Sequence, residues 1–83
     1  MPSAPSQTDP VERATVLILK RERLKQGLSA AQLAANIGVS RAAITHIEAD
    51  RSRPSFWIML KMAQGLRILL ESVVEEARRA NKP

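Results

Sequence analysis

Cysteine is absent from the 83-residue sequence, and histidine occurs once, as His46. These two scarcities exclude a disulfide framework, a thiolate nucleophile and a thiolate metal site, and one imidazole cannot build a zinc site alone. A cytoplasmic location is the expectation. Long apolar runs are missing too: "VLIL", Val16 to Leu19, falls far short of the ~20 residues that cross a bilayer. The opening "MPSAPSQTDP" lacks the charged-then-apolar order of an export signal, so neither secretion nor a membrane partner is expected. No stretch alternates with period two for long enough to make a strand, which leaves an all-α class. A nucleophile with its base, a metal-ligand cluster and a phosphate-binding glycine loop are all missing as well. The expectation is therefore a protein that is not an enzyme, with no cofactor, metal or small-molecule substrate.

What the chain does have is positive charge. Thirteen Lys and Arg against eight Asp and Glu give a formal charge of +5 and a pI near 10.8, a balance that suits a polyanionic partner. The excess is local. Between Lys20 and Arg53 stand Lys20, Arg21, Arg23, Lys25, Arg41, Arg51 and Arg53, opposed only by Glu22, Glu48 and Asp50. At this length the chain makes one small domain near the lower limit of independent stability, so partner chains are expected.

Punctuation residues divide the chain into an arm and helices. The Pro/Ser-rich arm, residues 1–9, reads as flexible, and the rest, residues 10–81, as one domain. Asp9 is placed to cap a first helix from Pro10 to Gln26, with Glu12 in its first turn, Val11, Val16, Leu19 and Leu24 toward a core, and Gly27 as the stop. Ser29 with Gln32 makes a capping box for a second helix, 30–36. Ser40 caps a third, 41–49, the polar "DRSRP" reads as a loop, and Ser55 caps a fourth, "FWIMLKMAQGL". A fifth, "LLESVVEEARRAN", runs to near Asn81.

The alanine-rich stretch "LSAAQLAANIGVSRAAITHIE" is interrupted at Gly38, where an unbroken helix would be easy to form. Two short helices joined by a tight turn must cross steeply, and the spacing supplies what that needs. Leu33, Ile37, Val39, Ile44 and Ile47 form the seam, Ala34 is small where the helices crowd, and Gly38 can take a positive φ. The break presents the opposite face of the third helix, Arg41, Ala42, Thr45, His46 and Ala49, to something outside the protein.

These residues carry a resemblance. With Arg23 four positions before Gly27, "GLS", "QLAANIGVSRAAITHIE", "RP" at Arg53 and Pro54, and "LKMAQGL", residues from about Leu19 to Val74 resemble the Cro/C1-type (Xre-like) helix-turn-helix family of phage and bacterial repressors. The resemblance implies a five-helix, lambda-repressor-like DNA-binding domain with its motif at about 30–49. It implies that Arg23 pairs with Glu48, and that helix three enters the major groove while helix two crosses the backbone. Arg41, Ala42, Thr45 and His46 are then candidates for base edges, and Gln32, Ser40, Arg51 and Arg53 for phosphates.

The implied function is a sequence-specific transcriptional regulator, a repressor that binds a palindromic operator as a homodimer. Its dimerisation surface falls at about 55–81, on Trp57, Ile58, Leu69 and Val73. The alternative is an antitoxin that holds a toxin protein and autoregulates its operon. Two departures stand out. Arg67 and Leu69 replace the glycine and the capping Ser or Asp that relatives carry between helices four and five, leaving open whether these two helices are separate. Trp57 and Ile58 fall where relatives carry polar residues, which points to a protein interface.

Overall fold

The computed structural model describes residues 9–82. The arm expected over residues 1–9 lies outside this range except for Asp9. Five helices follow one another: α1, Pro10–Lys25; α2, Ala30–Ile37; α3, Arg41–Glu48; α4, Phe56–Gly65; and α5, Leu70–Ala80. The described residues contain no strand, and none of their helices is long and apolar enough to cross a membrane.

Most helix ends are set by the residues that the sequence reading names. Asp9 accepts from the Val11 and Glu12 amides at 2.8 and 3.3 Å, and Pro10 occupies the first helical position, where its missing N–H costs nothing. Ser29 and Gln32 close the capping box reciprocally, at 3.0 and 2.7 Å. Ser40 and Ser55 each accept from the amide three residues on. Gly27 and Gly38 both adopt left-handed backbone, φ 71° and 76°, and stop α1 and α2.

The core forms where the apolar stripes of these helices meet. Val16, Ile18 and Leu19 of α1, Leu33 and Ala34 of α2, Ile44 and Ile47 of α3, Met62 and Ala63 of α4, and Leu70, Val73 and Ala77 of α5 are buried together. Ile37 and Val39 pack against them, half-buried. Gly65 brings α2 and α4 close: a Cβ there would stand 2.6 Å from Ile37 Cγ2.

Three expectations need correction. Leu24 is not a core residue but 58% exposed, because the inward stripe of α1 runs Val16, Leu19, Arg23 at i, i+3 and i+7, which turns Leu24 outward. Ile58 and Val73, expected on the dimer surface, are both buried in the chain's own core. Ile58 continues through Met62 and Leu66 at i+4 and i+8, and Val73 lies between Leu70 and Ala77, so each faces inward and leaves Trp57 and Leu69 outside.

The link between α4 and α5 resolves the other open point. The two helices are separate, although no glycine stands there. Arg67 itself takes a left-handed conformation, φ 59°, and Leu69 occupies the N-cap position without any side-chain cap. Across the bundle α5 is tied to α1 by Arg21, whose Nη1 lies 2.7 Å from Glu76 Oε2. That hydrogen bond holds the Glu76 carboxyl below the usual carboxylate range.

Candidate nucleic-acid interface

The candidate residues lie on the outward surface of α3, at the start of α2 and on the loop after α3. Arg41, Ala42 and His46 project from α3 exposed. Thr45 is half-buried and its hydroxyl donates back to the Ala42 carbonyl at 3.1 Å, leaving its oxygen lone pairs to face outward contacts. Ser40 and Gln32 are committed to helix caps through Oγ and Oε1, so the Gln32 amide nitrogen is the part of that side chain with donors to offer. Arg51 is exposed on the following loop.

Arg53 sits differently from the other phosphate candidates. Its Nε lies 3.1 Å from Glu12 Oε2 and its Nη2 donates to Oε1 at 3.2 Å, a forked pair that ties the loop back to the first turn of α1. These hydrogen bonds raise the guanidinium pKa above its ordinary value. Glu12 is largely covered while Arg53 is 63% exposed, so the cation faces solvent with its charge already matched.

Beneath this face α3 is anchored by charge. Arg23 and Glu48, both buried, form a fork-to-fork pair with Nε–Oε2 and Nη2–Oε1 distances of 2.8 Å, and the remaining Nη1 donates to the Leu28 carbonyl at 2.7 Å. One side chain thereby joins α1, the turn before α2 and α3. The hydrogen bonds that Arg23 donates to Glu48 raise its pKa despite burial. Because both charges are removed from water, losing one partner of such a pair costs about 3–5 kcal/mol. No buried side-chain polar atom among the described residues lacks a hydrogen-bond partner.

Two residues of this region escape the sequence reading. Glu12 stands there only as part of a cap, and Arg13 carries no motif, yet Arg13 donates to the Ile47 and Glu48 carbonyls at 3.1 and 2.8 Å. Both side chains join segments more than thirty residues apart, as the 34- and 41-residue separations show. No local spacing signals them. The dimer candidates are also distributed: Trp57 lies at the start of α4 with Lys61 Nζ 5.9 Å from its ring, whereas Leu69 lines a recess with Ile18, Arg21 and Ser72.

Comparison with known proteins agrees with this geometry. A helix-turn-helix family model matches residues 19–72. The clp gene regulator ClgR from C. glutamicum superposes with a TM-score of 0.76 at 21% identity, covering 96% of this chain and 100% of that one. A hypothetical transcription factor, NHTF, from Neisseria gives a TM-score of 0.71 at 20% identity, covering 99% and 97%. At such identities the likeness is one of fold. No curated protein sequence matches the chain. The family match takes in well over half of the chain, including the capped pair α2–α3, its left-handed Gly38 and the Arg23–Glu48 anchor; the chain belongs to the helix-turn-helix family of the Cro/C1 type.

Proposed function

We propose that the protein is a DNA-binding transcriptional regulator that reads a palindromic operator as a homodimer and acts as a repressor. The observation that carries this reading is the state of α3. Its inner side is buried, its C-terminal end is anchored, and its outer side offers Arg41, Ala42, Thr45 and His46, with Arg41, Ala42 and His46 uncovered among the described residues. A rigid helix with a polar outer face suits the major groove, with Gln32, Ser40, Arg51 and Arg53 toward the flanking phosphates. ClgR and NHTF, named as a gene regulator and a transcription factor, lend the reading support from fold.

A second copy is the proposed occupant of the groove between α4 and α5, about 390 Å³, lined by Phe56, Leu60, Leu70 and Val74. Its rim carries Glu71 and Glu75 together with Arg78, so an antiparallel approach of two α5 helices about a two-fold axis would bring opposite charges together. Selection of bound fragments from a random duplex library tests the function. Recovery of a palindrome with half-sites about one DNA turn apart is the expected result. Recovery of unrelated fragments would overturn sequence-specific regulation.

A further inference from the structure

The last turn of an α-helix leaves four carbonyl groups without donors of their own helix. In α3 these belong to Thr45, His46, Ile47 and Glu48. The loop supplies most of the donors: Ala49 N reaches Thr45 O at 3.0 Å, Arg51 N reaches His46 O at 2.8 Å, and Asp50 N reaches Ile47 O at 3.1 Å. For Glu48 O the donor comes from another helix. Arg13 Nη2 donates to it at 2.8 Å, and Nη1 donates to Ile47 O at 3.1 Å.

A planar guanidinium bridging two successive carbonyls sets orientation as well as distance, and its charge lies at the negative end of the helix dipole. Glu48 is therefore held twice, by its carboxylate through Arg23 and by its carbonyl through Arg13. The two arginines stand ten positions apart on α1, about 15 Å along its axis. Added to the core packing of Ile44 and Ile47, the two attachments fix the C-terminal end of α3.

We propose that Arg13 is a positioning residue for base recognition, holding the C-terminal end of α3 and through it the aim of Arg41, Ala42, Thr45 and His46, without contacting DNA itself. This rests on the reading of α3 as the helix that meets the bases. With eight residues, α3 is about 12 Å long, and a tilt of about 10° at its anchored end displaces the other end by about 2 Å. Base-edge hydrogen bonds do not survive such a displacement, whereas phosphate contacts, which a mobile side chain can follow, largely do. Loss of Arg13 therefore acts on specificity more than on attraction to DNA.

The test uses the full chain, a duplex carrying the selected site, a random duplex and a salt titration, with amide exchange of residues 49–52 measured in the free protein. For Arg13→Ala, the ratio of specific to random affinity falls about tenfold, within the worth of one well-placed base contact. The salt slope on random DNA stays unchanged, and the amides that bond the α3 carbonyls exchange faster. Arg13→Lys, with charge but no fork, recovers part of both effects and carries the same readouts if the alanine variant does not fold. Equal loss on both duplexes with a slope reduced by about one would make Arg13 a phosphate ligand instead. Faster exchange with an unchanged ratio would make it structural only, and no change in either would mean that Arg23 and Glu48 suffice. A wild-type chain without any duplex preference would overturn the functional reading itself, and the inference with it.

Discussion

Arg41 and Arg53 are both exposed arginines, yet their surroundings differ. Arg41 opens α3 exposed, so under the proposed reading its fork is available to guanine O6 and N7. Arg41→Ala is expected to cost about 1–3 kcal/mol on the best site and to flatten preference at one base pair. Band-shift titrations on specific and random duplexes check this, and equal loss on both would remove Arg41 from base reading. Arg53 is matched by Glu12 at 3.1 Å, so that carboxylate competes with any phosphate for the same guanidinium. Glu12→Gln should therefore tighten binding to every duplex and steepen the salt slope by about one; weaker binding would show that Glu12 serves to aim Arg53. The outer face of α3 is legible in the sequence because helical spacing and one glycine define it. The roles of Glu12 and Arg13 are not, since their partners lie a whole motif away along the chain.

At the scale of the element, capping chemistry makes four of the five helix starts readable from the sequence alone. Asp9, Ser29, Ser40 and Ser55 each stand in front of a helix with an oxygen to accept its first free amides. The exception is α5, whose start is held by tertiary packing: Leu70, Val73 and Ala77 are buried in the common core while Arg67 is held left-handed and Leu69 caps nothing. The same packing decides the inward placement of Ile58 and Val73. A stripe that is apolar on more than one side does not tell which side meets the chain's own core. Local sequence and fold thus disagree at this link, and repairing it should stabilise the domain. Arg67→Gly removes a left-handed penalty of about 1 kcal/mol for a residue with a Cβ, less what glycine adds to the freedom of the unfolded chain. Leu69→Asp supplies the missing acceptor near the positive end of the α5 dipole, for about 1 kcal/mol. It gives up little buried surface, because Leu69 is 63% exposed. Urea unfolding of the two variants checks both values. A lowered midpoint in Leu69→Asp would show that the leucine is covered in solution by a partner.

For the whole molecule, one recognition helix reads too few base pairs to be selective, and the two-fold arrangement that places a second helix about 34 Å away needs an interface that leaves α3 free. The described surface offers one region with the required character. Phe56 and Trp57 are 69% and 54% exposed at the start of α4, beside the apolar groove that α4 and α5 leave between them. Large aromatics of this kind concentrate binding energy at interface centres, and neither ring is buried in the chain's own core. Leu17 and Leu24 are exposed as well, but singly on α1 beside Lys20, Arg21 and Lys25, of which Arg21 and Lys25 are already paired with Glu22 and Glu76. The α4–α5 groove instead combines apolar lining with side chains of both signs, Glu71, Glu75 and Arg78, which suits a two-fold contact. Because the sequence holds one tryptophan and no tyrosine, fluorescence reports on Trp57 almost alone. Dilution to the monomer should shift its emission to the red. Phe56→Glu and Trp57→Glu should each sediment as folded monomers, since both positions are exposed in the single chain, and should lose cooperative binding to a palindrome while keeping weak binding to a half-site. If both variants remain dimeric at wild-type concentration, the interface lies elsewhere; if they are monomeric but still bind the palindrome cooperatively, the operator itself brings the two copies together.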